Sequence, residues 1–213
     1  MIAVVAHTKR ADEAHQLMER VGAAYLSMDN GTLGCEQNHR RTWQWLADNN
    51  PNEWSTVLED DARPVPNFKQ HLQQALAHTD TDVVSCYLGH KVNNPPQEAT
   101  GQRAVDNATK NGACWITSHL LLHAVAVSIK TALIPDMLNH TRTVRLPIDE
   151  AITHWTRHKQ PAMMIGYTNP SLVDHADGEP VILRRRDKMP RPKGRTAYTV
   201  GTPHQWNRQH IKL

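Results

Sequence analysis

Apolar residues in this chain gather in short continuous runs that alternate with longer stretches of helical spacing. Ile2 to Ala6 is apolar throughout, is too short for a helix and meets His7, Lys9 and Arg10 at its end, which predicts a buried strand. Over Asp12 to Val21, the residues Ala14, Leu17, Met18 and Val21 fall on one helical face. Ala24 to Met28 predicts a second strand, closed by the turn signal Asp29-Asn30-Gly31. Cys35, His39, Trp43 and Leu46 share a face of a helix over Gly34 to Asn49, stopped by Asn50-Pro51. A strand over Ser55 to Leu58 follows, then a helix over Asn67 to His78 carrying Phe68, Leu72 and Leu76, then a buried strand over Val83 to Leu88 closed by Gly89. His90 to Asn111 is polar and without period, so it reads as a long loop. Beyond it come a strand over Ala113 to Thr117, a largely helical stretch over His119 to Ile134, a helix entered through Pro147 with Ile148, Ala151, Ile152 and Trp155 on one face, and a last strand over Met163 to Tyr167.

This alternation predicts an α/β protein with a mainly parallel sheet sandwiched by helices, whose ligands gather at the carboxyl ends of strands. With 213 residues the chain can bury one large core. The expected organisation is a single domain over residues 1–180 and a basic extension over 181–213. Net charge is only +3, but it is unevenly spread: Arg184, Arg185, Arg186, Lys188, Arg191, Lys193 and Arg195 crowd into twelve residues with Pro190, Pro192 and Gly194. Such a run builds no core, and it reads either as a solvated arm or as an arm for a polyanion such as nucleic acid. No stretch is apolar for long enough to span a bilayer, and the first strand meets charge too soon for a signal peptide. The three cysteines, Cys35, Cys86 and Cys114, lack paired spacing, so reduced, buried thiols in a cytoplasmic protein are expected.

The candidate chemistry begins at Val57-Leu58-Glu59-Asp60-Asp61-Ala62-Arg63-Pro64, where a strand delivers three adjacent carboxylates to its carboxyl end. Like charges this close raise one another's pKa, so the arrangement asks for a divalent cation or a dense network of donors. Carboxylate oxygens are hard ligands suited to Mn2+ or Mg2+ that already carries phosphate oxygens. A solvated acidic turn is the plain alternative. Among the fourteen histidines, His39 reads as a hydrogen-bonded core residue and the His119/His123 pair as structural; Trp115 reads as core packing.

Gly31-Thr32-Leu33-Gly34-Cys35-Glu36-Gln37-Asn38-His39-Arg40-Arg41-Thr42-Trp43, followed by Val57-Leu58-Glu59-Asp60-Asp61-Ala62, resembles the signature of glycosyltransferase family 25, with Asn38 where a serine is usual. That family includes lipooligosaccharide galactosyltransferases and the collagen galactosyltransferase domain. Weaker similarity runs over roughly residues 1 to 175. The resemblance implies a single GT-A type, Rossmann-like domain, a nucleotide-sugar donor, expected to be a UDP-sugar, and glycosyl transfer with inversion. It implies Asp61 as a metal ligand, with Glu59 and Asp60 sharing metal or ribose contacts, and a late histidine, His175, as a third ligand; an exposed loop histidine is the alternative. Arg10, Asp29 and Asn30 would hold base and ribose, and Gly89 closes the strand leading to the donor sugar.

Inversion needs a general base, for which Asp149 at a helix start is the candidate and Glu150 the reserve; both read equally as first-turn acids complementing the helix dipole. The basic run, Arg184 to Arg195, suits a phosphate backbone better than a membrane. A hydroxymethylated base in DNA, in a bacterial or phage-infected cytoplasm, is therefore the expected acceptor, with a lipooligosaccharide or other glycan, or a protein, as alternatives. An inactive nucleic-acid-binding module and a metal phosphoesterase are the readings from other classes.

Overall fold

The first strands of the main sheet alternate their side chains between two separate cores, and this fixes a layered architecture. Ala3 and Val5 of β1 (Ile2–His7) and Val57 of β3 (Trp54–Glu59) face one cluster, whereas Ile2, Val4 and Leu58 face the other. The first cluster is closed by α2 (Cys35–Asn49), α4 (Pro95–Asn111), α5 (Ile134–Thr141) and α6 (Ile148–His158), the second by α1 (Ala11–Val21) and α3 (Phe68–Ala77). The remaining strands are β2 (Tyr25–Asp29), β4 (Ala62–Pro64), β5 (Val83–Ser85), β6 (Trp115–Ser118), β7 (Ala126–Lys130), β8 (Ile165–Thr168), β9 (Val173–His175) and β10 (His210–Lys212). The computed structural model describes residues 1–90, 94–178, 181 and 193–213.

The main sheet has eight strands in the order β10-β6-β8-β5-β7-β3-β1-β2. Pairing is parallel for β1 with β2 and β3, β5 with β8, and β10 with β6; it is antiparallel on both sides of β7 and between β6 and β8. The expected mixed, mainly parallel α/β sheet between helices is thus what forms. Register sets His7 beside Asp29 and Val5 beside Glu59, so the carboxyl ends of β1, β2 and β3 meet on one edge.

Two segments differ from expectation. Residues 95–111 form α4 rather than a loop: Asn94 caps it by accepting from the Gln97 amide, prolines occupy its first turn, and Gly112 ends it with φ +65°. Its buried stripe, Gly101, Ala104, Val105 and Ala108, has helical spacing but is built of small residues, because the Tyr198 ring lies against Gly101 where a Cβ would overlap it. Residues 119–134 form an extended crossing, β7 and a short turn rather than a helix. Because β7 lies mid-sheet and is buried on both faces, its residues form an apolar run that periodicity does not distinguish from a helix.

The end of the chain returns to the body. β10 pairs with β6, Trp206 is buried against Trp115 with ring centroids 5.7 Å apart, and the Trp115 indole N–H donates to the Asn207 carbonyl at 2.9 Å. Trp115 is core, as read. Of the basic run, Arg184, Arg185, Arg186, Lys188 and Arg191 lie outside the described residues, whereas Lys193 and Arg195 lie within them. Among the described residues no helix is long and apolar enough to cross a membrane.

Candidate active site

Glu59 ends β3, and Asp60 and Asp61 form the tight turn into β4, so three carboxylates leave the sheet edge together. A dense set of donors meets them. The His7 amide at the tip of β1 donates to Asp60 Oδ2 at 2.8 Å, and Arg10 Nη1, on the short turn after β1, reaches Asp60 Oδ1 at 2.8 Å and Asp61 Oδ2 at 2.7 Å. The β4–β9 pairing places His175 against Ala62, with its Nε2 3.3 Å from Asp61 Oδ2. The His175 Nδ1 accepts from the Asp177 amide at 2.9 Å, which puts the proton of the neutral ring on Nε2, facing Asp61.

These partners separate the two aspartates. Burial acts to raise the Asp61 pKa, but His175 and Arg10 outweigh it and hold the carboxyl well below its ordinary range. Asp60 is displaced upward, first by burial and then by the charge of Asp61, against the pull of the His7 amide and Arg10. Asp61 Oδ1 is buried and has no hydrogen-bond partner among the described residues.

The floor of the site is α2. Asn38 is 3% exposed and makes four hydrogen bonds: Nδ2 donates to the Ala6 and Ser27 carbonyls, both at 3.0 Å, and Oδ1 accepts from Ser27 Oγ at 2.7 Å and Arg41 at 2.8 Å. It thereby ties the tips of β1 and β2 together. The next residue's ring, His39 Nε2, lies 3.1 Å from Glu59 Oε1. Burial opposes charge on this ring, yet its bonds to Cys35 and Glu59 outweigh burial and hold its pKa up at about 10. His39 is thus buried and hydrogen-bonded, as read, but its partner is the acidic turn. Cys35, expected to be buried, is exposed at the helix start; Cys86 and Cys114 are buried.

These groups line a pocket of about 760 Å³ open to solvent, formed by Val5, Ala6, His7, Arg10, Asp29, Cys35, Asn38, His39, Glu59, Asp60, Asp61, His175, Val181 and Arg195. Arg10, Asp29, Glu59, Asp60, Asp61 and His175, picked from the sequence, meet here, and so does Arg195 from the basic run. The Asp29 carboxylate is already occupied: it accepts from the Leu33 and Gly34 amides, both at 3.0 Å, and shapes the turn before α2. Asn30 is exposed, and its side chain bonds Thr32. Gly89 lies outside the pocket under the Tyr87 ring, where a Cβ would overlap the phenol.

Asp149 and Glu150 open α6 outside the pocket lining, Asp149 half-buried and Glu150 exposed. The 119–125 crossing links that helix to the acidic turn, because the Glu59 amide donates to the Val125 carbonyl at 2.9 Å, the Leu121 amide to Thr153 of α6 at 2.8 Å, and the Leu122 amide to the Tyr167 hydroxyl at 2.9 Å. His7, Cys35, Asn38 and His39 are pocket residues that reasoning from the sequence did not assign. For Asn38 and His39 a signal existed, since polar residues on the apolar face of a helix need buried partners.

Residues 6–152 match the family model described as glycosyltransferase family 25 (LPS biosynthesis protein). No curated protein matches the chain significantly. Among solved structures, the crystal structure of A197 from STIV superposes with a TM-score of 0.50 at 10% identity, covering 82% of this chain and 84% of that one; the likeness is one of fold.

Proposed function

The chain belongs to glycosyltransferase family 25, and we propose that the pocket at the tips of β1, β2 and β3 takes a UDP-sugar with Mn2+ or Mg2+ and passes the sugar, with inversion, to an acceptor hydroxyl. The observation that carries this reading is the buried Asp61 Oδ1, left without a hydrogen-bond partner among the described residues at the wall of a pocket that also presents Glu59 and His175. Carboxylate oxygens suit a hard divalent ion, and Asp61 and Glu59 are the residues proposed to hold it; His175, named with them, would offer Nε2 only by giving up the Nδ1 bond that now puts its proton there. When bound, the ion supplies charge neutralisation to the departing diphosphate.

The protein's own groups orient this site. Arg10 fixes the spacing of Asp60 and Asp61, His39 holds Glu59, and the Asp29-ordered turn sets the mouth where base and ribose enter. Asp149, with Glu150 as reserve, is the group proposed to take the acceptor proton. The acceptor proposed is a hydroxymethylated base in DNA, engaged by Arg184, Arg185, Arg186, Lys188, Arg191, Lys193 and Arg195, in the cytoplasm. A lipooligosaccharide or other glycan is the second reading, favoured by the description of the matching family.

Release of UDP from a panel of UDP-sugars tests the donor half: it should require Mn2+ or Mg2+ and vanish in Asp61→Ala, and metal-independent release would refute it. Mass spectrometry of nucleosides from hydroxymethylated and plain DNA, beside a glycan panel, tests the acceptor half. Product on glycans alone would refute the DNA assignment.

A further inference from the structure

Away from the pocket, on the surface of the helical layer, three imidazoles converge. His140 lies in the last turn of α5, and His154 and His158 lie one turn apart in the last two turns of α6. The i, i+4 spacing puts the α6 pair on one face. Ring centroids are 4.0 Å apart for His154 and His158, 5.1 Å for His140 and His154, and 5.3 Å for His140 and His158. One nitrogen from each ring can be chosen so that all three lie within 4.8 Å of one another.

From this juxtaposition we propose that His140, His154 and His158 form a zinc-class transition-metal site that clamps α5 to α6. Imidazole nitrogen is a borderline ligand that suits Zn2+ and its neighbours, and three histidines with an open position for water are a known zinc donor set. Zn–N bonds of about 2.0–2.1 Å in a tetrahedron put ligand nitrogens about 3.3 Å apart, a closure that small ring rotations supply from the present spacing. The His140 Nε2 to His154 Nδ1 separation is already 2.9 Å. His158 Nδ1 is bonded to the His154 carbonyl at 2.7 Å, which fixes the ring and leaves Nε2 as its ligand atom, the backbone-anchored arrangement typical of metal-bound histidine.

Two further features favour a cation at this place. The carbonyl ends of both helices surround it, and helix C-termini attract positive charge. The adjacent Lys159 ammonium is engaged by Asp136, so its charge is countered beside the site. The consequence for the fold is local: the clamp would fix the far end of the helix whose first turn carries Asp149 and Glu150.

Zn2+ titrated into the metal-free full-length protein against a chromophoric chelator should reveal one tight equivalent and raise the melting temperature. His158→Gln, an exposed substitution, should weaken that equivalent by more than about 100-fold, beyond what loss of an outer partner costs. His154→Gln should do the same, whereas Cys35→Ser and Asp61→Asn should leave it intact. Co2+ in the same site should show ligand-field bands without thiolate-to-metal charge transfer. Tight binding unchanged in His158→Gln and His154→Gln, a thiolate charge-transfer band, or no equivalent tighter than the bulk of surface histidines would each overturn the proposal.

Discussion

Asn38→Ala should destabilise the protein by about 3 kcal/mol, and the magnitude follows from what Asn38 joins. Its four hydrogen bonds are buried, and each such bond contributes about 0.5–1.5 kcal/mol net. Two of them recover in part, since Arg41 keeps Ser27 Oγ at 2.8 Å and the Met28 carbonyl after the amide is gone. The Ala6 and Ser27 carbonyls have no such substitute and lose a buried donor, which places the sum in the lower half of the additive range of about 2–6 kcal/mol. For a domain of this size the loss corresponds to a fall in Tm of about 6–12 °C. Urea unfolding followed by tryptophan fluorescence and far-UV circular dichroism measures it, with an unchanged m-value marking a native-state effect. Asn38→Ser should fall between, because one hydroxyl reaches one carbonyl and not both. A loss below about 1 kcal/mol for Asn38→Ala would refute the view that this amide holds the strand tips together.

Three other outcomes are expected. The His39 pKa is raised in the folded state to about 10, so its contribution to stability is complete below the unfolded value of 6.5 and is lost as pH rises from there to about 10; melting temperature should fall across that window, and an identical fall in His39→Gln would refute the assignment. Iodoacetamide should modify Cys35 well ahead of Cys86 and Cys114, which are buried and whose thiol pKa values burial raises, and a UDP-sugar with Mn2+ should slow the reaction at Cys35; no protection would remove Cys35 from the donor pocket. Replacing Arg184, Arg185, Arg186 and Lys188 by alanine should weaken duplex DNA while sparing UDP release, and should flatten the slope of log K against log salt by about 3–4 units; substitution is preferred to truncation because residues 194–213 include β10 and the buried Trp206.

Much of the fold was legible because its signals are local. The first five strands and helices carry either a short apolar run or a helical stripe of large residues, and the turn and cap residues between them agree with both. Where the reading failed, the deciding interaction was distant in sequence. The α4 stripe is made of glycine, alanine and one valine because Tyr198 packs on it from almost one hundred residues away, bonding Glu98 at 3.0 Å. β7 is a strand because β3 and β5 flank it, which no window of its own residues contains. Likewise β10 has too few residues to announce itself and exists through pairing with β6. The acidic turn, by contrast, stood out as three adjacent carboxylates at a strand end; its histidine and arginine partners come from three stretches far apart in the chain, residues 7–10, α2 and β9.

Those partners lead to a last expectation about binding order. Glu59, Asp60 and Asp61 are opposed by Arg10 and a protonated His39, which leaves about one net negative charge at the pocket wall. A UDP-sugar carries two negative charges on its diphosphate, so alone it meets repulsion, whereas together with a divalent ion it adds no net charge. The ion and the diphosphate should therefore bind with positive coupling, and by linkage each must strengthen the other by the same factor. With like charges a few ångströms apart near a protein surface, a coupling of at least about 1.4 kcal/mol, or tenfold in Kd, is the modest end of what Coulomb's law allows. Calorimetric titration of UDP with and without Mn2+ reads this directly, and Asp61→Asn, which removes one charge and leaves the pocket's shape, should shrink the factor. Equal UDP affinity in the two conditions would mean that the acids at the end of β3 serve Arg10 and His39 alone, and that the diphosphate, if it binds, rests on other residues.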